Sequence, residues 1–306
     1  MSHRWKAAAR LLWAVALGAC TVEIPGGLSP GGGSGGGGGG SGSGPSGSAE
    51  GKLSNNGLVL DIEALALLEP EPIGRWVDGE GGEAIADGPA LAELLDHPAG
   101  LEHAEYLALC ALPEGAGLTV AAADGSTVSY PGLLGLAPGW VTGACDLSCQ
   151  RWVSACVLAH ANAYDLSVTM SLRGDHPALT WSDEIADQYT VQEAAFYGNV
   201  FELAGASSAA PPLYACGGRA LMSTSEDGEP ETDHSIEYLT QRICGTSTQC
   251  GFNQTGPCHF SIAAGSACKR DAGPRGSYGD CVGDDLEDPL APPPVFPEAI
   301  TTYLAP

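Results

Sequence analysis

Ten cysteines between positions 110 and 281 constrain this chain of 306 residues more than any other feature. They are Cys110, Cys145, Cys149, Cys156, Cys216, Cys244, Cys250, Cys258, Cys268 and Cys281, and the eleventh, Cys20, stands far from the rest. An even set reads as a disulfide framework formed in an oxidising compartment. Zinc is the competing reading, but paired C-x2-C knuckles are absent and no Cys–His pair has finger spacing, so no metal is expected. A catalytic thiol needs a free cysteine of low pKa, and an even set leaves none spare. Half of the ten fall within 244–281, among many glycines and prolines. Residues 244–288 are therefore expected to form a loop-rich, disulfide-stapled cap with little regular structure.

Helical spacing narrows the pairing. Cys149, Trp152, Val153, Cys156, Val157, His160 and Tyr164 fall on one stripe of a helix expected from Asp146, its cap, to about Tyr164. Cys149 and Cys156 would then lie about 10.5 Å apart along the axis, and a disulfide needs Cα atoms within about 4.4–6.8 Å. Cys149 is therefore expected to meet Cys145 across the helix start. Cys156 is expected to staple this helix to Cys110, on the apolar face of the preceding one. The six cysteines from Cys216 onward would pair among themselves, with 15 connectivities open.

Before the first folded element comes an address. Arg4, Lys6 and Arg10 precede the apolar run Leu11–Leu17, which is too short to span a bilayer as a mature helix. Leu17-Gly18-Ala19-Cys20 then resembles the lipobox of bacterial lipoproteins. The resemblance implies cleavage between Ala19 and Cys20, a diacylglycerol thioether on Cys20 and usually an acyl group on the new amine. Several chains on one residue make a stable anchor. Thr21, where an aspartate would signal inner-membrane retention, favours the outer membrane. A chance cysteine after an ordinary signal peptide is the alternative.

Residues 25–51 are dominated by Gly and Ser and cannot bury enough apolar surface to order themselves. Such a coil spans about 30 Å. Gly32-Gly33-Ser34-Gly35-Gly36 matches a nucleophile elbow without its strand and helix. Gly51-Lys52 resembles the end of a P-loop, but Ser46 and Leu53 stand where Gly and Ser/Thr are needed. Both follow from composition, and no cofactor is expected. The formal net charge is −25, and removal of Arg4, Lys6 and Arg10 makes it more negative still. Such a charge repels phosphate backbones, so nucleic acid is excluded as a partner.

The expected organisation is a signal peptide (1–19), a lipidated cysteine and tether (20–54), one ectodomain (55–288) and a proline-rich tail (289–306), of which Pro289–Pro297 is expected to lie on the surface as extended polyproline. Within the ectodomain, 57–77 reads as weak strand or extended chain. Helices are expected at 90–97, 102–111, from Trp181-Ser182, at 192–203 and at 236–244, and an exposed acidic loop at 223–233. Leu118–Val120 and Thr127–Tyr130 flank Asp124-Gly125 as a hairpin. Ser167–Leu172 alternates as a half-buried strand, and Tyr214–Cys216 reads as a short one. The sum is an α+β fold with small antiparallel strands and several helices.

Trp152–Cys156, Asn162-Ala163-Tyr164, Ser171–Gly174 and Ala195–Asn199, within residues 135–260, resemble segments of uncharacterised exported, cysteine-rich proteins of high-GC bacteria. The resemblance implies export and no particular activity.

The densest polar group is Arg173, Asp175, His176, Asp183, Glu184 and Glu193. His176 is a candidate general base oriented by Asp175 or Glu184, with Ser171 as nucleophile. The bland alternative is that Arg173 pairs with a carboxylate while His176 lies on the surface. His160, on an apolar stripe, reads as a satisfied core histidine rather than a ligand. Asp280, Asp284, Asp285, Glu287 and Asp288 could offer oxygens to calcium but lack EF-hand spacing, which favours a solvated acidic turn. Asn253-Gln254-Thr255 fits a glycosylation sequon that a bacterial lipoprotein would not use. Three functions follow: a non-enzymatic envelope head with a protein or glycan partner, a secreted hydrolase built around His176, and an acidic cation-binding protein. The first has the most support, from anchor, tether and disulfides together.

Overall fold

The computed structural model describes residues 52–306 except 123–124, 165, 206–211, 220–222, 225–229, 232, 247–250, 260–266, 271–274 and 284–291. Its first half runs β1 (Leu53–Asn56), α1 (Ile62–Leu65), β2 (Arg75–Trp76), β3 (Glu83–Ile85), α2 (Ala92–Asp96), α3 (Gly100–Ala111), β4 (Gly117–Ala121) and β5 (Thr127–Pro131). Next come α4 (Leu147–Ala159), β6 (Val168–Arg173), α5 (Asp183–Gln188), β7 (Val191–Gly198) and β8 (Leu213–Gly217). The last part holds β9 (Ser223–Thr224), β10 (Pro230–Glu231), α6 (Asp233–Cys244), β11 (Asn253–Pro257), β12 (Cys268–Arg270), β13 (Gly279–Val282), β14 (Val295–Phe296) and β15 (Ile300–Leu304).

The fold is α+β. Its main sheet has the order β1-β6-β15-β7-β8-β11, antiparallel except for the β8–β11 pair. A second sheet, β2-β3-β4-β5, lies beside α3, and a third, β12-β13-β14, is antiparallel throughout. The described residues belong to one compact unit.

α4 forms where the stripe predicts. The Asp146 side chain accepts from the Cys149 N–H at 2.9 Å, satisfying one of the orphan donors of the first turn. The helix ends at Ala159, five residues short of Tyr164, with His160 as its C-cap. α5 starts at the Ser182 cap, and the 118–130 hairpin is present as β4 and β5. α4 packs on one face of the main sheet, where Val153, Val157, Leu107 of α3, Met170, Leu172, Phe196 and Ile300 share a core. The opposite face carries a second core of Ala195, Tyr197, Tyr214, Cys216, Cys258, Cys268, Tyr278, Cys281 and Phe296.

That two-sided burial overturns the helix expected at 192–203. Val191–Gly198 is instead a central strand, buried from Gln192 onward. Ala194 and Phe196 enter the first core, while Ala195 and Tyr197 enter the second. A strand buried on both faces shows a continuous apolar run rather than an alternating one, and such a run is easily taken for a helix. Only Val200–Gly205, which follows, is helical, as a 3-10 segment. Gly198 ends the strand at φ +138, where an added Cβ would meet the Pro212 carbonyl oxygen at 2.2 Å.

The tail is the second correction. Ile300–Leu304, inside the stretch assigned to the proline-rich tail, is β15, hydrogen-bonded between β6 and β7 near the middle of the main sheet. Its β-branched Ile300, Thr301 and Thr302 suit a strand, and its buried hydroxyls are satisfied. Thr301 accepts from the Tyr278 N–H at 2.8 Å, and the Tyr303 hydroxyl donates to the Gly276 carbonyl at 2.7 Å. The 244–288 segment is also more regular than expected, since it contributes β11 to the main sheet and β12 and β13 to the third. At the other end, β1 begins at Leu53, inside the stretch assigned to the tether. Residues 223–233, expected as a loop, hold the paired strands β9 and β10.

Disulfides tie these layers together. Cys110 of α3 bonds Cys156 of α4 (Cα–Cα 5.9 Å), and Cys145 bonds Cys149 across the α4 start (5.2 Å). Cys216 bonds Cys258, and Cys268 bonds Cys281 across the β12–β13 pair. Cys244 is disulfide-bonded as well. Cys20 and Cys250 lie outside the described residues.

Candidate functional site

β1 is the outermost strand of the main sheet, and among the described residues it pairs only with β6. Beside it, between the strand and α3, opens a cleft of about 610 Å³. Ser54, Asn55, Asn56, Tyr106, Ser167 and Thr169 supply polar lining, with Glu105 as the one carboxylate among the described residues that line it and Leu53, Leu109 and Leu133 as apolar wall. Gly57 ends β1 with φ +151, and an added Cβ there would stand 3.2 Å from the Tyr106 hydroxyl oxygen.

Residues 54 and 56 point inward and 53 and 55 outward, as strand alternation requires. The inward Ser54 reaches His160: its Oγ lies 2.8 Å from Nε2. The other ring nitrogen, Nδ1, lies 2.7 Å from the Cys156 carbonyl oxygen, which can only accept. Nδ1 therefore carries the proton, Nε2 is the acceptor, and the Ser54 hydroxyl is the donor. Burial drives the His160 pKa down to about 4; the bond to the Cys156 carbonyl opposes the shift and the Arg242 charge adds to it. The imidazole is neutral at neutral pH. Tyr106 lies over it, ring centroids 5.3 Å apart. Deeper in, the Asn162 amide donates to Asn56 Oδ1 at 3.3 Å and to the Leu166 carbonyl at 2.9 Å, holding the end of β1 against the chain after α4.

A second, smaller cavity of about 210 Å³ lies on the far side of Asn56, against Tyr238, Glu193 and Arg242. Arg242 and Glu193 form a buried ion pair there.

The polar group after β6 is not assembled as a catalytic set. Ser171 is buried and accepts from the Arg173 Nε–H at 3.3 Å. Arg173 is fully buried with no carboxylate partner among the described residues; it donates to the Arg275 and Tyr189 carbonyls and stacks 3.6 Å over the Tyr303 ring. His176 accepts from the Ala178 N–H and rests edge-on against Trp152, and burial lowers its pKa. Asp175 pairs with Arg270, while Glu184 accepts from Gln188 within α5. Asp280 also pairs with Arg270, and Asp284, Asp285, Glu287 and Asp288 lie outside the described residues.

Two clusters have metal-like proximity: Cys110, Cys156 and His160, and Cys216, Cys258 and Cys268. Their sulfurs are joined in disulfides and offer no thiolate to an ion. Among the described residues, no helix is long and apolar enough to cross a membrane.

Sequence reasoning placed His160 on the buried stripe but missed Ser54, which looks like the end of a flexible linker. The signal available was Leu53-Ser54-Asn55-Asn56, where Gly/Ser repetition stops and a single aliphatic residue appears. No family model matches the chain, and comparisons with curated proteins and with solved structures find nothing similar to it.

Proposed function

We propose that this chain is an exported, envelope-anchored binding head, held by lipid on Cys20 and probing its surroundings through the Gly/Ser tether. Its ligand is a neutral polyhydroxylated molecule, a glycan segment, taken into the β1 cleft. The observation that carries this reading is the cleft lining, which combines the hydroxyl and amide residues Ser54, Asn55, Asn56, Ser167 and Thr169 with one aromatic residue, Tyr106. Hydroxyl and amide groups exchange hydrogen bonds with sugar hydroxyls, and the ring offers an apolar face. Glu105 and the chain's net charge of −25 disfavour anionic ligands.

Titration calorimetry of the full-length protein with a panel of neutral oligosaccharides tests the proposal. Binding is expected for the native protein and is expected to be lost in Ser167→Trp, whose ring would fill the cleft from an exposed position. Absence of binding at millimolar concentration across the panel would overturn it, and so would binding that Ser167→Trp leaves intact.

A further inference from the structure

One residue of the cleft wall, the inward-facing Ser54, is hydrogen-bonded to the buried imidazole of His160. We propose that Ser54 is an acyl-transfer nucleophile with His160 as its base, removing O-acyl groups from the glycan held in the β1 cleft. The inference rests on the cleft being the ligand site and names the substrate class for it.

Three features converge. First, the Ser54 hydroxyl donates to His160 Nε2 at 2.8 Å, and the ring is oriented through Nδ1 by a buried acceptor, the Cys156 carbonyl at 2.7 Å. This is the nucleophile–base–orienter relation that acyl transfer uses, with a carbonyl in the third place. Second, the ring caps the C-terminal end of α4. The partial negative charge of that helix end and the bond to the Cys156 carbonyl work against the burial and the Arg242 charge that disfavour the imidazolium formed during attack. Third, the edge of β1 that carries no partner strand among the described residues supplies a donor for the oxyanion. The Leu172 N–H donates to the Lys52 carbonyl. In an antiparallel ladder, alternate residues turn their backbone groups toward the partner. Residues 52, 54 and 56 therefore face β6, and the Asn55 N–H faces the open edge, next to the nucleophile. A backbone N–H immediately after the nucleophilic serine is a recurring oxyanion donor.

The step balances without a co-reactant other than water. Ser54 Oγ attacks the ester carbonyl carbon as its proton passes to His160 Nε2. The carbonyl oxygen becomes the oxyanion. The bond from that carbon to the sugar oxygen then breaks, and the sugar oxygen leaves with the proton from Nε2. Water attacks the acyl-Ser54 ester, gives its proton to Nε2, and the carboxylic acid departs as Ser54 regains a proton.

The test uses the full-length protein in detergent, a small alkyl fluorophosphonate and an O-acetylated neutral oligosaccharide. One adduct at Ser54 is expected by intact mass and peptide mapping of the native protein, a result that depends on no variant. Acetate release is expected to fall by about 10³-fold or more in Ser54→Ala, with circular dichroism showing that the variant is folded. An unlabelled Ser54 in a protein that still binds neutral oligosaccharides overturns the nucleophile and leaves the binding proposal standing. Labelling at Ser54 without oligosaccharide binding overturns the glycan substrate.

Discussion

Glu193 of β7 and Arg242 of α6 meet at 3.0 Å with both side chains buried. The same carboxylate oxygen accepts from the Thr302 hydroxyl of β15 at 2.8 Å, and Arg242 also donates to the Ala159 carbonyl at the end of α4. One ion pair thus joins two central strands and two helices. Removing one member strands a desolvated charge, which costs about 3–5 kcal/mol. Arg242→Met is expected to lose that much in urea unfolding, and the double variant with Glu193→Gln is expected to recover most of it. Equal stability of native and Arg242→Met proteins would refute the role.

His160 makes stability depend on pH. Its folded pKa, about 4 through burial, lies below the ordinary value of 6.5. The unfolded chain therefore takes up its proton first as pH falls. Stability from this group is full above pH 6.5 and is lost as pH falls toward 4, by about 3 kcal/mol in total. Denaturant unfolding between pH 7 and 4 should show this slope, and His160→Gln should flatten it.

The two disulfides of α4 close loops of very different size, with separations of 46 residues for Cys110–Cys156 and 4 for Cys145–Cys149. Loop-closure entropy gives about 4 and about 2 kcal/mol respectively. Removing Cys110 and Cys156 together is therefore expected to lower the thermal midpoint about twice as much as removing Cys145 and Cys149. The reverse order in calorimetry would show that chain entropy does not control these bonds.

Ending the chain after Pro297 removes β15, with Ile300, Thr301, Thr302 and Tyr303 all buried. Both β6 and β7 would lose a neighbour. The truncated protein is expected to show no cooperative thermal transition. A native-like melt would place these residues outside the core.

The proposed lipidation at Cys20 would need its sulfur. Cys20→Ser is expected to abolish metabolic labelling with a clickable fatty acid and to release the protein from membranes or leave it uncleaved. Label retained by that variant would place the lipid elsewhere.

The sequence by itself determined the elements whose cause is local. Asp146 and Ser182 start helices because their side chains satisfy the first-turn donors, and the spacing of Cys149 and Cys156 along one helix forbids a bond between them. It also displayed the apolar stripe carrying His160. Tertiary structure decided what depends on partners distant in the chain. Val191–Gly198 is a strand because two cores, one on each face, bury its side chains, and a fully buried strand loses the alternation that identifies it. Ile300–Leu304 reads as the end of a proline-rich tail until β6 and β7 take up its backbone hydrogen bonds. Ser54 and His160 are separated by 106 residues, and only the packing of edge strand β1 against the end of α4 brings a hydroxyl beside a linker to an imidazole on a core helix.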